Sequence, residues 1–136
     1  MAEYGKYTEY NEEEMKSKAT DLKNKISTAK GELSSFESTL SDDIWKASSK
    51  DTLKKAFQTL NDDVNTEINA ALDKITTVAN YIGDYKKAES RAKEIKQSIT
   101  TAKSTNPDAD TSALESELSV EEGKMETAVS NVNTNL

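Results

Sequence analysis

Apolar residues recur at alternating spacings of four and three along the first part of the chain. This spacing places them on one side of a helix and predicts an a/d seam of the coiled-coil kind. Asn11 is followed by three glutamates, which indicates an N-cap and negative charge at the positive end of the helix dipole. We therefore predict a first helix over about residues 11–40. Its seam comprises Met15, Ala19, Leu22, Ile26, Ala29, Leu33, Phe36 and Leu40.

A second and longer seam predicts a helix over about residues 50–103. A capping signature formed by Ser48 and Asp51 precedes it. One step is irregular, because Val64 and Ile68 lie four apart where three would keep the alternation, and such a slip changes the supercoil locally. The seam comprises Leu53, Phe57, Leu60, Val64, Ile68, Ala71, Ile75, Val78, Ile82 and Tyr85, and continues through Ala92, Ile95 and Ile99.

Two polar stretches separate the predicted helices. The stretch 41–49 is predicted to be a turn, and the stretch 104–111, which contains the only proline, is predicted to be a loop. Ser112 and Glu115 then form a second capping box, so a third helix is expected over about residues 112–133. The pattern therefore predicts an all-α fold: a long antiparallel helical hairpin and a C-terminal third helix, packed as a bundle or coiled coil.

The composition agrees with narrow amphipathic helices. A length of 136 residues indicates a single domain. Only 34% of the residues are hydrophobic, and the chain has four glycines and one proline, too few for the turns of a multi-stranded sheet. A net charge of −7 disfavours nucleic acid and anionic membranes as partners. Neither a signal peptide nor an apolar run long enough for membrane insertion is expected.

The residues that usually carry catalysis are scarce. The chain has no cysteine and no histidine, which excludes disulfides, thiolate zinc sites and the commonest general base. Asp108, Asp110 and Ser112 begin like a calcium loop. However, Ala113 replaces the turn glycine and Ser119 replaces the bidentate glutamate. We therefore expect no enzymatic activity, no metal site and no cofactor.

Surfaces for partners remain. Small helical domains with thin cores commonly associate to cover apolar area. Four apolar residues lie off the main stripe of the second helix and widen its apolar face: Ile44, Ala56, Leu72 and Ala79. Either the third helix covers this face, or it forms a helix-in-groove interface with another chain. The five tyrosines, Tyr4, Tyr7, Tyr10, Tyr81 and Tyr85, are expected to lie near one another as half-buried packing.

Two short motifs carry a resemblance to a known family. Trp45-Lys46-Ala47 lies in the polar break between the first two helices, and Tyr85 and Glu89 form a Tyr-x-x-x-Glu motif further along the chain. In this arrangement the chain resembles the WXG superfamily of type VII secretion proteins. In that family a Trp-x-Gly turn joins two antiparallel helices, and a Tyr-x-x-x-Asp/Glu secretion signal follows. Ala47 stands where the family has its glycine.

The resemblance implies a role in protein export. With its added third helix, the chain is similar to the small helical partners of the larger LXG toxins of Gram-positive bacteria. This similarity implies that the chain is a binding partner and targeting factor for an LXG toxin leader. It also implies that Tyr85 and Glu89 form a secretion signal read by a receptor, and that the type VII secretion ATPase is a further partner. Such a protein is cytoplasmic before export without a signal peptide, or stays behind as a chaperone. The alternatives are a free-standing homodimeric secreted effector, a heterodimer with a second small WXG-like protein, and a generic coiled-coil adaptor without an export role.

Overall fold

The regular structure of this protein is helical. The computed structural model describes residues 2–39 and 47–136, and neither range contains a strand. The elements in chain order are α1 (Glu12–Thr39), α2 (Ala47–Asp63), a π-helical segment (Val64–Ile68), α3 (Asn69–Thr105) and α4 (Ser112–Thr134). The all-α prediction is confirmed, and the helical content is compatible with a bundle.

The π-helical segment joins α2 to α3 without interrupting the helix. A π turn holds more residues than an α turn, so it accommodates the extra residue of the irregular step from Val64 to Ile68. The flanking residues, Asp63 and Asn69, keep α-helical dihedral angles. The slip in the apolar spacing therefore coincides with a local change in the helix itself.

The described helix ends differ from the predicted ones by at most three residues. Asn11 caps α1 as expected, because its Oδ1 accepts the backbone N–H of Glu14 at 3.0 Å. At α2 the predicted turn over residues 41–49 and the predicted helix start after Ser48 are not observed as such, because residues 47–49 are already helical. Of the other turn residues, Ile44 and Trp45 lie outside the described residues.

The cap of α4 also differs from the predicted capping box. Thr111 is the N-cap residue and Ser112 is the first helical residue. The carboxylate of Asp110 accepts hydrogen bonds from the backbone N–H and the hydroxyl of Ser112, at 3.0 and 2.7 Å. The hydroxyl bond is the main reason that the pKa of Asp110 lies below its ordinary value. This Asx turn at Asp110 satisfies the backbone N–H of Ser112 at the start of α4. In the predicted capping box, the side chain of Glu115 would have accepted that N–H.

The described chain forms two compact units. Unit one contains residues 2–14 together with Thr77–Leu136, and unit two contains Met15–Thr76, so the division falls within α3. In unit one the loop 106–111 reverses the chain, and ion pairs join α3 to α4, including Lys103 with Glu115 at 3.5 Å. Its buried apolar residues are Ala2, Tyr7, Val78, Ala79, Ile82, Tyr85, Ala88, Ala92, Ile95, Met125, Ala128 and Val132.

Unit two buries much less of its apolar seam. Among its described residues, only Ala19 and Leu72 are buried apolar residues. Large seam residues of α1, α2, the π-helical segment and α3 are between 39 and 51% exposed, although their spacing is that of a coiled-coil core. These are Leu22, Phe36, Leu60, Ile68 and Ile75. Unit two therefore presents an apolar stripe that its own helices leave partly open.

Candidate functional site

Tyr85 and Glu89 lie one turn apart on α3 and face the same side. The Tyr85 hydroxyl is 3.1 Å from Oε2 of Glu89. Both residues are buried, with 0% of Tyr85 and 8% of Glu89 exposed. A buried carboxylate is uncommon unless it is paired and hydrogen-bonded, so its partners define the site.

Residues 2–11, here called the N-terminal segment, cover this pair. The Tyr85 hydroxyl donates to the backbone carbonyl of Glu3 and accepts the backbone N–H of Lys6 at 3.2 Å. The backbone N–H of Gly5 donates to Oε2 of Glu89. The segment therefore contributes only main-chain groups to these bonds, whereas α3 contributes only side chains.

A turn at Gly5 presents those main-chain groups. Gly5 has φ +74°, which a residue without a Cβ adopts at no steric cost. Its carbonyl accepts the hydroxyl of Thr8 at 3.1 Å, and the backbone N–H of Tyr10 donates to the carbonyl of Tyr7 at 3.1 Å. These short-range bonds hold the segment in a turn, with neighbouring N–H groups directed at the Tyr85–Glu89 pair.

Aromatic packing accompanies the hydrogen bonds. The Tyr7 ring meets the Tyr85 ring edge to face, with centroids 4.9 Å apart, and Tyr10 meets Tyr7 in the same way at 5.8 Å. Tyr7 is buried, yet its hydroxyl has no hydrogen-bond partner among the described residues. The expected clustering of tyrosines is present for these three rings. Tyr81 instead lies beside α4, along an open groove whose other side includes Val120.

Tyr4 anchors the segment at a second point. Its hydroxyl donates to Oε1 of Glu122 on α4 at 2.6 Å, and the ammonium of Lys96 on α3 lies 3.9 Å from its ring centroid. Lys96 and Glu122 are themselves 3.7 Å apart. Burial, aided by the Glu122 carboxylate, raises the pKa of Tyr4 well above its ordinary value, so its hydroxyl stays a donor at neutral pH.

Lys86 fixes the end of the segment where it enters α1. The Lys86 ammonium donates to the carbonyl of Tyr10 and lies 2.7 Å from Oε2 of Glu12. The Glu12 side chain lies against α3 one turn before Lys86, since a Cβ on Gly83 would be in ordinary contact with its Cγ at 3.7 Å. The segment is thus held at both ends as well as over the Tyr85–Glu89 pair.

The electrostatics keep Glu89 charged and Tyr85 neutral. Burial alone would raise the pKa of Glu89, but the N–H of Gly5 and the ammonium of Lys93, 3.3 Å from Oε1, together bring it below its ordinary value. Burial raises the pKa of Tyr85, and the N–H of Lys6 opposes this only in part. At neutral pH the pair therefore offers a carboxylate acceptor and a hydroxyl that both donates and accepts.

The other predicted site residues are dispersed. Leu72 in unit two and Ala79 in unit one are buried, which favours internal packing for both, whereas Ala56 is exposed. Ala47 is the first residue of α2. The described residues contain no group of three Asp or Glu side chains that could hold a metal ion, and none of their helices is long and apolar enough to cross a membrane.

Sequence reasoning missed the N-terminal segment as part of this site. It placed Tyr85 and Glu89 on one face, as observed, but expected them to be accessible to a receptor. The available signals were Gly5, a turn residue outside any helix, and the tyrosines at positions 4, 7 and 10. Comparison with protein-family models, with curated proteins and with solved structures found no match to this chain. The resemblance to the WXG superfamily therefore depends on its two short motifs and the helical pattern alone.

Proposed function

We propose that this protein is a WXG-like helical partner in type VII secretion, which binds the helical leader of a larger LXG toxin. The partly exposed apolar stripe of unit two is the observation that carries this proposal. A seam with a/d spacing is normally buried against another helix. Here its large residues remain about half exposed, although the unit has its own helices beside them.

The arrangement within unit two supports a helical hairpin. Phe36 of α1 meets Phe57 of α2 edge to face, with centroids 5.6 Å apart, and Lys23 of α1 pairs with Asp73 of α3. The contacts run in opposite order along the two parts of the chain, as antiparallel helices require. In the sequence, Trp45 falls between α1 and α2, at the position of the Trp-x-Gly motif of the WXG superfamily, and it lies outside the described residues. In the proposal its indole contacts the partner at this elbow.

The exposed stripe provides a useful but limited driving force. Burying the remaining half of five large apolar side chains would contribute roughly 4–7 kcal/mol. Association itself costs on the order of 4–15 kcal/mol in lost translational and rotational freedom. The stripe alone would therefore give a weak complex. A long helical partner that covers the whole stripe and adds contacts of its own fits this requirement better than a short peptide does.

Binding of the partner tests the proposal. We expect the double variant Leu60→Glu/Ile75→Glu to bind a co-expressed LXG leader at least about ten-fold more weakly, because two charges would enter the apolar interface. Val120→Glu is the control, since Val120 is an exposed apolar residue (59%, against 51% for Leu60 and 41% for Ile75) that belongs to unit one. Affinity is measured by isothermal titration, and helix content by circular dichroism. Equal loss of binding in both variants, or in neither, would contradict the proposed role of the stripe.

The same stripe favours a second candidate, in which another copy of this chain covers it and the protein is a free-standing homodimeric secreted effector. Sizing of the pure protein separates the two: a stable dimer that binds no leader favours the effector. Export separates the effector, and a partner that leaves with its cargo, from a generic coiled-coil adaptor; leader binding separates a partner that stays behind. In the proposed function Tyr85→Ala and Glu89→Ala abolish export by the secretion ATPase, whereas an adaptor has no exported form. Whether the protein leaves with its cargo or remains as a chaperone follows from the same measurement.

A further inference from the structure

In the hydrogen bonds that hold the N-terminal segment on Tyr85 and Glu89, the segment contributes backbone groups and α3 contributes side chains. The side chains of Tyr85 and Glu89 meet one backbone carbonyl and two backbone N–H groups, from Glu3, Gly5 and Lys6. Every described hydrogen bond of the Tyr85 hydroxyl outside α3 goes to this segment. Main-chain groups are common to all peptides, so the pair recognises a backbone shape and an aromatic ring beside it rather than a particular set of side chains.

We propose that Tyr85 and Glu89 form a peptide-binding site, that the N-terminal segment occupies it as a displaceable cap, and that a partner's peptide of the same chemistry can replace this cap. The chemistry is a turn that presents neighbouring backbone N–H groups, followed two residues later by an aromatic ring. As a consequence, the Tyr-x-x-x-Glu motif is concealed until the cap leaves. Only the identity of the protein that recognises this motif after the cap has left rests on the proposed function.

The segment has the properties of a detachable element. It contains no helix or strand, and only Ala2 and Tyr7 within it are buried. The buried Tyr7 hydroxyl has no hydrogen-bond partner among the described residues, which weakens the hold of the cap on its site. Segments with few buried apolar contacts open locally at lower free energy than the helices they cover.

The site itself does not depend on the segment for its shape. The contact of Lys93 with Glu89 at 3.3 Å and that of Glu89 with Tyr85 both lie within α3 and involve no residue of the segment. The ion pair of Arg91 with Glu117 joins α3 to α4 without any residue of the segment, as does that of Lys103 with Glu115. A preformed site of this kind loses little freedom when a new ligand replaces the cap.

Gly5→Val in the full chain tests the proposal. Valine is rarely found at φ +74°, so the cap can no longer form its turn, whereas Gly5 is exposed and no core side chain changes. The probe is a labelled synthetic peptide of residues 2–11, followed by fluorescence anisotropy. We expect the Gly5→Val chain to bind this peptide at least about ten-fold more tightly than the unaltered chain, in which the tethered cap competes at a high effective concentration.

Three controls accompany this titration. Gly31→Val makes the same substitution in unit two, where a Cβ would have open space, and should bind the peptide no better than the unaltered chain. A peptide carrying Gly5→Val should not bind, and Glu89→Gln added to the Gly5→Val chain should weaken binding. The proposal is overturned if the Gly5→Val chain gains no affinity, or if its binding is unaffected by Glu89→Gln.

Amide hydrogen exchange in the unaltered chain gives a second test that needs no variant. We expect the amides of Gly5 and Lys6 to be protected, yet to exchange at least about a hundred-fold faster than those of Ile82 and Ile95, through an opening insensitive to denaturant. Exchange of all four amides at one rate would overturn the proposal that the segment is a displaceable cap, because the segment would then leave α3 only when unit one unfolds. Neither experiment involves a toxin or an ATPase, so failure of the proposed function would leave both results standing.

Discussion

The hydroxyl of Tyr85 and the hydroxyl of Tyr7 provide a matched pair of substitutions. Both rings belong to the same edge-to-face contact, and both residues are buried. They differ in their partners: the Tyr85 hydroxyl bonds to Glu3 and Lys6, whereas that of Tyr7 has no partner among the described residues. Changing either residue to Phe keeps the ring and removes one oxygen, so the hydrogen bonds can be separated from the packing.

The structure sets the expected size of each effect. Tyr85→Phe removes two neutral hydrogen bonds to the segment, each worth about 1 kcal/mol, together with the contact of the hydroxyl with the Glu89 carboxylate. It also leaves two backbone groups partly buried without their partner, so we expect a loss of about 2–3 kcal/mol from the free energy of unfolding. Tyr7→Phe removes a buried hydroxyl that has no described partner. We expect it to leave the free energy of unfolding unchanged, or to raise it by up to about 1 kcal/mol.

Urea unfolding of the full chain measures the difference. All five tyrosines belong to unit one, so the near-ultraviolet circular dichroism of tyrosine follows this unit once the overlapping indole signal of Trp45 is removed by a common Trp45→Phe background. Far-ultraviolet signals from both units would mix two transitions if the units unfold separately. A loss of stability with Tyr85→Phe that is no larger than with Tyr7→Phe would refute the reasoning, because the hydrogen bonds of the Tyr85 hydroxyl would then contribute nothing to holding the segment.

Two further predictions concern Glu89 and Lys86, which also hold the N-terminal segment on α3. The pKa of Glu89 is below its ordinary 4.5, so its contribution to stability is complete above that pH and is lost as pH falls through the lowered value. The protection of the Gly5 amide against hydrogen exchange should fall over the same pH range. Glu89→Gln should remove this pH dependence. If stability depends on acid pH in the same way with and without Glu89→Gln, the role given to Glu89 is contradicted. Lys86→Ala should cost about 0.5–1 kcal/mol through its lost ion pair and hydrogen bond. Lys87→Ala, the exposed neighbour, should change stability by less than about 0.5 kcal/mol in the same urea titration; equal effects would exclude the Lys86 anchor.

Helices and their irregularities follow closely from the sequence. The seam of α1 predicts a helix over about residues 11–40, and the helix observed is Glu12–Thr39. The spacing also locates the π-helical segment, because an inserted residue must be accommodated either by a change of supercoil or by a wider turn. Which of the two occurs depends on main-chain hydrogen bonding, which the apolar pattern does not encode.

The apolar spacing does not predict that the N-terminal segment lies over Tyr85 and Glu89. The bonds that Gly5 and Lys6 make to α3 span 84 and 79 positions of sequence and come from backbone atoms that every residue possesses. No side-chain spacing can therefore predict them. Periodicity likewise shows that Leu60 and Ile75 lie on an apolar face, but not whether another helix covers that face.

The main-chain character of these bonds has a consequence for how this site would change during evolution. The side chains of Glu3 and Lys6 are not needed for the bonds that reach Tyr85, so these positions are free to vary. Gly5 is constrained by its positive φ, and Tyr7 by the ring it lays against Tyr85. Among descendants of this chain we therefore expect drift at positions 3 and 6, a fixed glycine and aromatic residue at positions 5 and 7, and joint loss of the segment and the Tyr–Glu pair where either disappears.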